Sequence, residues 1–453
     1  MTISRLRLPA RAAAAAAVLA LAAAGCGGGS QEDDQTITVV YNTYGGFMAL
    51  HNALEDVKPA FEEANPGWTL ELQPLEVAEG DYRTRIQLMQ RSPSTAPDIV
   101  YEDTFWIQGD VDAGYLAPLD EYMAGWEDAE QFNEAVGPAV TAADGQRYGV
   151  QLGTDTRGLF YNRELLESAG VEVPWEPETW EDVLEAARAV QREHPDVIPF
   201  NMYSGTPAAE ASSMQGFQML LAGTEDRLYD EASGLWVTRS QGFNDSLEFV
   251  QTVWDEELGP PIEDALNPNI GSVVGQEWLP EGRLAIALDG SWKSQTWLET
   301  GGRPWPEWSE ELGWTAMPTQ NGQEPGRVSM SGGWALAISA HSPNPEMAFE
   351  AISIATNREN SLNYVSMASE IPVRDDVRED PAYVEANPAN EFFSGLVDVT
   401  EFRPAFAEYP QVSDQVMVAM ESVMTGSTPE EAAQIYAEEV TGIVGPEMVT
   451  EAP

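Results

Sequence analysis

The thiol of Cys26 belongs to the only cysteine in a chain of 453 residues. With no second cysteine, an intrachain disulfide is impossible, and a metal site built from several thiolates is excluded. Cys26 follows Gly25 and an unbroken apolar run over residues 12–24, and the only charged side chains before that run are three arginines. A basic start, a short apolar stretch and small residues before a cleavage point are typical of an export signal. The run is too short to span a bilayer, which takes about 20 residues.

The segment Leu21-Ala-Ala-Ala-Gly-Cys26 resembles the bacterial lipobox, in which the cysteine becomes the lipid-modified N-terminus. Ala23 stands where that motif usually has leucine, and the alternative is an ordinary secretory signal beside an incidental cysteine. Residues 27–35 are rich in glycine and then in acidic residues, which predicts a flexible, solvated tether. We therefore expect residues 1–25 to be a signal peptide and residues 26–35 a lipidated tether. Cys26 would then anchor the protein to the outer face of the cytoplasmic membrane.

Residues that could perform catalysis form no recognisable motif. The histidines, His51, His194 and His341, are far apart and match neither a zinc-protease nor a triad pattern. No phosphate-binding P-loop and no G-x-S-x-G nucleophile elbow occurs. A glycosidase needs two carboxylates that flank the scissile bond. Among 75 acidic residues, a candidate pair in the sequence identifies nothing. The sequence predicts no enzyme, no cofactor and no metal site.

The charge balance excludes one class of partner. The chain has 75 acidic and 22 basic residues, a net charge of −53, and its only lysines are Lys58 and Lys293. Nucleic-acid binding requires a basic footprint, which this composition lacks. A strongly acidic surface keeps a protein soluble but does not specify its fold.

Strand and helix patterns alternate along the first hundred residues. β-Branched residues 36–41 are followed by residues 47–64, where Leu50, Leu54, Val57, Ala60 and Phe61 recur at helical spacing. Further strands are predicted at residues 68–73 and 98–101, with a helix at 81–91 between them. This alternation predicts an α/β fold with a largely parallel sheet. The chain is too long for one core and suits two lobes.

Local signals also predict where individual helices begin. Thr179 and Asp182 have the spacing of a capping box, as do Thr428 and Glu431. Pro429 and Pro345 stand at first helical positions, where the missing N–H does no harm. Helices are therefore expected from about residues 180, 345 and 429.

Four segments, in this order, resemble the bacterial extracellular solute-binding proteins that serve sugar ABC importers, and the maltose- and trehalose-binding group is the most similar in pattern. The segments are GQRYGV at 145–150 with GLFYNRELL at 158–166; EGRLAIALDGSW at 281–292; SGGWALAIS at 331–339 with IPVR at 371–374; and FRP at 402–404 with YPQ at 409–411 and GSTPE at 426–430. Each is weak alone. In this order and together, they support a resemblance that covers residues 36 to about 445.

The resemblance implies a two-lobed fold of the periplasmic-binding-protein type (type II) with a hinge between α/β lobes. Residues 36–150 with 334–378 would form lobe 1, and residues 151–333 with 379–450 lobe 2. The chain would cross between lobes near residues 150–155, 331–334 and 380. The implied function is the capture of a small carbohydrate in the cleft and its delivery to the permease subunits of an ABC transporter, by a protein expected to be a monomer.

The resemblance also implies which residues contact the sugar. A carbohydrate site stacks an aromatic ring on the C–H face of the sugar and directs charged groups at its hydroxyls. Trp292 would supply the stacking ring, and Asp155 and Asp103 would supply carboxylates. The remaining candidates lie in loops, at strand ends or at an expected crossing: Trp106, Gly333, Trp334, Arg403, Tyr44 and Tyr203.

Departures from the pattern favour a compact ligand. Glu102 stands where maltose binders have tryptophan, and Phe105 and Trp106 replace an aspartate–arginine pair. A disaccharide or short oligosaccharide, with an α-glucoside such as trehalose or maltose first, is therefore expected in place of a long maltodextrin. A binder of a non-sugar solute, a scaffold lipoprotein and a surface-anchored glycosidase stay as alternatives.

Overall fold

The computed structural model of the protein describes residues 35–43 and 47–452. The predicted signal peptide, Cys26 with the rest of the predicted tether up to residue 34, and Tyr44 lie outside the described residues. Among the helices of the described residues, none has both the length and the apolar character that a membrane crossing requires.

A five-stranded sheet forms around the β-branched run near the start of the described chain. Its strands lie in the order β2-β1-β3-β13-β4. Their bounds are β1 Thr36–Asn42, β2 Thr69–Leu75, β3 Ile99–Asp103, β4 Gly149–Gln151 and β13 Trp334–Ile338. Strand β1 pairs in parallel with β2 and β3, whereas β13 is antiparallel to both β3 and β4. All five residues of β3 are buried, as expected for a central strand covered on both faces.

A four-stranded sheet is built from the middle of the chain, in the order β10-β5-β9-β6. Its strands are β5 Arg157–Asn162, β6 Ile198–Asn201, β9 Leu284–Gly290 and β10 Leu312–Thr315. Strand β9 is parallel to β6 and antiparallel to β5. Every residue of β5 and β9 is buried, so these two strands form the centre of this sheet.

Two three-stranded sheets complete the strand pairing of the described residues. One joins β11 Met317–Pro318, β12 Arg327–Ser331 and β14 Thr400–Phe402; the other joins β7 Tyr229–Asp230, β8 Leu235–Arg239 and β15 Val449–Glu451. The expectation of a largely parallel sheet is wrong, because both large sheets are mixed. In each large sheet one strand runs against the others: β13 is antiparallel to both β3 and β4, and β5 is antiparallel to both β9 and β10.

Helices cover the sheets. The longer ones are α1 Ala49–Ala64, α2 Glu79–Gln90, α6 Trp180–Glu193, α8 Gln241–Asp255, α12 Pro345–Ala355, α13 Arg358–Ala368, α17 Tyr409–Met424 and α18 Pro429–Val444. The short ones are α3 Ile107–Asp112, α4 Asp120–Met123, α5 Arg163–Ser168, α7 Met219–Ala222, α9 Ile262–Ala265, α10 Ile270–Val273, α11 Trp308–Glu311, α14 Asp375–Arg378, α15 Pro381–Ala386 and α16 Asn390–Ser394.

The predicted helix signals are confirmed. Thr179 accepts a hydrogen bond from the backbone N–H of Asp182, whose carboxylate accepts from the N–H of Thr179 in return. Thr428 and Glu431 form the same capping box at α18. In α1, the apolar positions predicted to face the core are buried except Ala60, which is exposed. Burial of each large apolar side chain contributes about 1.5–3 kcal/mol to folding.

The two large sheets form the centres of two α/β lobes, and short segments connect them. The chain leaves β4 at Gln151 and enters β5 at Arg157, and it returns from β12 to β13 across Gly332 and Gly333. The crossing segments are tied together, since Thr154 Oγ1 donates to the carbonyl of Gly332 at 2.8 Å. The assignment of residues 36–150 with 334–378 to one lobe and 151–333 with 379–450 to the other stays a prediction, as does the crossing near residue 380.

Candidate ligand-binding cavity

A cavity of about 420 Å³ lies where strand ends of the two sheets and the crossing segments meet. Its wall includes Asp103 at the end of β3, Trp334 at the start of β13, and Asp289 near the end of β9. Its volume falls in the range of about 300–1,000 Å³ that is usual for small-molecule sites. Seven of the predicted site residues line this one cavity: Asp103, Asp155, Tyr203, Trp292, Gly333, Trp334 and Arg403.

Arg403 joins two carboxylates on one side of the cavity. Its Nη2 donates to Asp103 Oδ1 at 2.6 Å, and its Nη1 lies 3.5 Å from Glu210 Oε1. The guanidinium also lies over the ring of Phe105, 4.3 Å from its centroid. Burial raises the pKa of Asp103, although the charge of Arg403 opposes the shift. This charged cluster is almost entirely removed from solvent, with Arg403 only 8% exposed.

Glu210 lies immediately before the π-helix Ala211–Gln218, and its side chain reaches this cluster. Tyr409 Oη and Ser413 Oγ, both on α17, each donate to the Glu210 carboxylate at 2.6 Å. Burial raises the pKa of Glu210, and Arg403 opposes that shift as well. The Glu210 side chain is therefore fixed by two other parts of the chain, helix α17 and Arg403.

Asp155 lies in the first crossing segment, and two hydrogen-bond donors fix its carboxylate. Its Oδ1 accepts a hydrogen bond from Arg157 Nη1 and another from the backbone N–H of Gly332 at 2.8 Å. Arg157 in turn lies over the indole of Trp292, 4.5 Å from its centroid. The predicted carboxylate and the predicted stacking ring are thus connected through one arginine.

Trp292 is the second residue of the 3₁₀ turn Ser291–Trp297, which directly follows β9. A β-carbon on residue 290 would overlap the Trp292 ring, so only glycine permits this position of the indole. The ring is half-buried, with one side against Arg157 and part of its surface in the cavity wall. A partly exposed indole at a cavity wall offers the face that a sugar ring stacks against.

Asp289 and Lys293 form a buried ion pair next to Trp292. Lys293 Nζ lies 3.1 Å from Asp289 Oδ2, and that oxygen also accepts a hydrogen bond of 2.6 Å from Tyr203 Oη. Lys293 is only 2% exposed and also donates to the carbonyl of Gly271. Tyr203 is therefore oriented by this pair at the cavity wall.

Gly333 and Trp334 form the wall at the second crossing. Gly333 has φ of +140°, and a β-carbon there would lie 2.7 Å from both Gln151 Nε2 and the carbonyl oxygen of Gly153. Glycine is required for this close approach of two backbones. Trp334 stacks on Tyr101, with ring centroids 4.7 Å apart and an interplanar angle of 22°.

The structure does not bring Trp106 to the cavity. Trp106 is 1% exposed and packs edge-on against Trp334, with centroids 5.0 Å apart. Arg83 lies over its ring at 4.7 Å. The 3₁₀ turn Thr104–Trp106 directs this side chain into the core, so Trp106 supports Trp334 from behind. The other remaining candidate, Tyr44, lies outside the described residues.

Seven charged residues of the cavity wall were missed by sequence reasoning: Glu79, Asp81, Arg157, Glu210, Asp289, Lys293 and Glu370. Asp289 lies within the EGRLAIALDGSW segment at 281–292 and Lys293 directly follows it, so this segment was a usable signal. Glu370 directly precedes Ile371 of the IPVR segment. Burial raises the pKa of Glu370 to about 8, and the charge of Asp155 adds to the shift. Burial likewise raises the pKa of Glu79 to about 8.

The cavity combines aromatic surface with fixed polar groups, which is the composition of a binding site for a polar organic ligand. Within the described part of the chain, no group of three or more metal-ligating side chains is arranged to hold a metal ion.

A family model described as bacterial extracellular solute-binding protein matches residues 49–361. The chain belongs to this family, and the predicted resemblance and the predicted two-lobed α/β fold are confirmed. The galactooligosaccharide-binding protein of Bacillus subtilis is 23% identical over 403 residues, which cover 86% of this chain and 86% of that protein.

Two solved structures show the similarity of the fold. A solute-binding protein of Thermotoga lettingae, bound with α-D-tagatose, has a TM-score of 0.76 at 24% identity and covers 90% of this chain and 100% of its own. The maltose-bound MalE3 of T. maritima has a TM-score of 0.77 at 21% identity, with the same coverage of 90% and 100%.

Proposed function

We propose that this protein captures a small carbohydrate in the cavity and delivers it to the permease of an ABC importer. The observation that carries this proposal is the half-exposed indole of Trp292 beside Asp155, with Asp103 and Arg403 in the same wall. An aromatic face and charged hydrogen-bonding groups around one space match the two surfaces of a sugar ring. The relatives named above, which bind galactooligosaccharide, tagatose and maltose by their descriptions, support the same class of ligand.

The ligand is a disaccharide or a short oligosaccharide, with an α-glucoside such as trehalose or maltose as the first candidate. The cavity volume of about 420 Å³ supports a compact ligand. Trp106 contributes no further stacking surface, because it lies behind Trp334.

Capture works by a shift between an open and a closed arrangement of the lobes. A ligand that touches both the β3 end and the β9 end binds the closed arrangement more tightly, and only such a difference in affinity can shift the equilibrium. The closed form is what the permease recognises. The protein acts as an exported monomer, held at the outer face of the cytoplasmic membrane by lipid on Cys26.

A calorimetric screen tests this function. Trehalose, maltose, galactobiose and maltotriose are titrated into the protein, and the sugar is then recovered and analysed. Saturable binding with the sugar recovered intact supports the proposal. If no carbohydrate shows saturable binding, the proposal is overturned. If the recovered sugar is hydrolysed, the glycosidase alternative is supported instead.

A further inference from the structure

A buried pair of carboxyl groups lies behind the cavity wall. Glu102 of β3 is 0% exposed, and Asp110 of α3 is 1% exposed. Tyr101 and Asp103 line the cavity, whereas Glu102 between them does not, because successive side chains of a strand point to opposite faces. Glu102, one of the departures from the maltose-binder pattern, therefore adds no surface to the ligand site.

The two carboxyl groups lack other donors for several of their oxygens. Neither oxygen of Glu102 has a hydrogen-bond partner among the described residues, and Asp110 Oδ2 has none there either. The two groups are nevertheless within hydrogen-bonding reach of each other. Neighbouring carboxylates in an enclosed site do not both stay ionised. A single proton held between Glu102 and Asp110 gives each of them a partner.

The surroundings place this proton on Glu102. Asp110 Oδ1 accepts a hydrogen bond of 3.2 Å from Gln87 Nε2 and lies 3.9 Å from Arg83 Nη2, and both contacts favour an ionised Asp110. Among the described residues, no side-chain or backbone N–H reaches Glu102. Burial raises the pKa of Glu102 well above its usual range, and the charge of Asp110 adds to the shift while Arg83 opposes it.

Arg83 connects this pair to the wall of the cavity. Its guanidinium lies over the ring of Trp106, 4.7 Å from the centroid, and its Nη1 is buried without a hydrogen-bond partner among the described residues. Trp106 packs edge-on against Trp334, which lines the cavity. An Asp110 that lost its donor would draw this guanidinium toward itself and away from the indole, because an unpartnered charge attracts strongly in an enclosed site.

We propose that Glu102 is a positioning residue that acts as a neutral acid: its O–H donates to Asp110, so that Arg83 stays over Trp106 and Trp334 keeps its place in the cavity wall. This inference rests on the proposed function, because the support matters for binding only if the cavity is the ligand site. Because the pKa of Glu102 is raised, the support is present at neutral pH and is lost in alkaline solution.

The groups that face Glu102 come from three elements. The titratable and charged ones are Arg83 and Tyr82 of α2, Asp110 of α3 and Asp103 of β3 itself. Tyr82 Oη is already committed as a donor to the carbonyls of Val40 and Tyr101. On β13, the residue paired with Glu102 is Ala335, which has no group that titrates.

Infrared spectroscopy at pH 7 tests for the acid directly. The spectrum of Glu102→Gln is subtracted from that of the wild type, so that the carboxyl groups common to both cancel, including Glu79 and Glu370 with their raised pKa values of about 8. A carbonyl band of a protonated carboxyl group is expected in the difference. A carboxylate band in its place would show that Glu102 is ionised and would overturn the inference.

Calorimetry with maltose, or with the tightest sugar of the screen if maltose does not bind, tests the positioning role. Glu102→Gln keeps an N–H donor for Asp110 and should bind within about twofold of the wild type. Glu102→Met removes the donor, and Arg83→Met removes the cation behind Trp106. Both should bind about fivefold more weakly, the factor that corresponds to a lost cation–π contact of about 1 kcal/mol. The matched controls change exposed residues outside the cavity wall, Glu439→Met on α18 and Arg85→Met on α2, and should leave the affinity unchanged.

The outcomes separate this inference from the proposed function. Wild-type affinity in Arg83→Met, or an equal loss in Glu102→Gln and Glu102→Met, overturns the positioning role while sugar binding by the wild type still supports the proposed function. Arg83→Met changes a partly exposed side chain and decides the matter even if Glu102→Met does not fold. If no sugar binds the wild type, the proposed function fails, and the positioning role fails with it.

Discussion

Two corners of the same cavity treat carboxylates in opposite ways. Around Arg403, the buried Asp103 and Glu210 are both satisfied by a cation and by hydroxyl or backbone donors. Around Glu370, one oxygen has only a phenol as donor, and the other has no partner among the described residues. The first corner is complete without a ligand and holds the wall in shape. The second is not satisfied by the described residues.

Removing the cation from the complete corner should have the largest effect. Arg403→Met leaves Asp103 and Glu210 buried without their charge partner, and breaking a buried pair in this way costs about 3–5 kcal/mol. Urea unfolding should show this loss together with loss of sugar binding. Arg239→Met is the matched control, because its ion pair with Glu451 is exposed and should contribute about 0–1 kcal/mol. Equal destabilisation by both variants would contradict the contrast between the corners.

Removing the aromatic face should have an intermediate effect that is confined to binding. Trp292→Ala is expected to weaken sugar affinity by about tenfold or more, because it removes a stacking contact of about 0.5–1.5 kcal/mol in addition to apolar area. Trp68→Ala changes a partly buried tryptophan that does not line the cavity, and should leave the affinity within about twofold. Calorimetry with the best sugar of the screen measures both. Unchanged affinity in Trp292→Ala would remove the indole from the site.

Titration of the incomplete corner should give the smallest effect. Burial raises the pKa of Glu370 from 4.5 to about 8, so its contribution to stability is present below pH 4.5 and is lost as the pH rises through 8. Glu370→Gln lacks this loss. Its melting temperature relative to the wild type should therefore rise by about 1–3 °C between pH 5 and pH 9. Differential scanning calorimetry without ligand measures the shift, and a difference that is flat with pH would show that Glu370 does not titrate in this range.

Sequence patterns predicted local structure well where the cause is local. The capping boxes at Thr179 and Thr428 depend on residues three apart, and both form as expected. The apolar spacing of α1 likewise predicted its buried face, with Ala60 as the exception. The sequence could not show that both large sheets are mixed, because that depends on which distant strands pair with β5 and β13.

The cavity was predicted in part, through positions that adjoin recognisable segments. Trp292, Gly333 and Arg403 lie in such segments, and the structure brings them together. Glu210 gave no usable signal among 75 acidic residues, since its environment is made by a distant partner, Tyr409. Trp106 was predicted incorrectly because the turn after β3 rotates its ring into the core.

The oxygen of Asp155 that bonds to Gly332 belongs to the connection between the lobes as well as to the cavity wall. If ligand contacts this oxygen, as the proposed function has it, ligand also competes with the bond that links the two crossing segments. We therefore expect Asp155→Asn to change the open–closed equilibrium of the lobes together with the affinity for sugar.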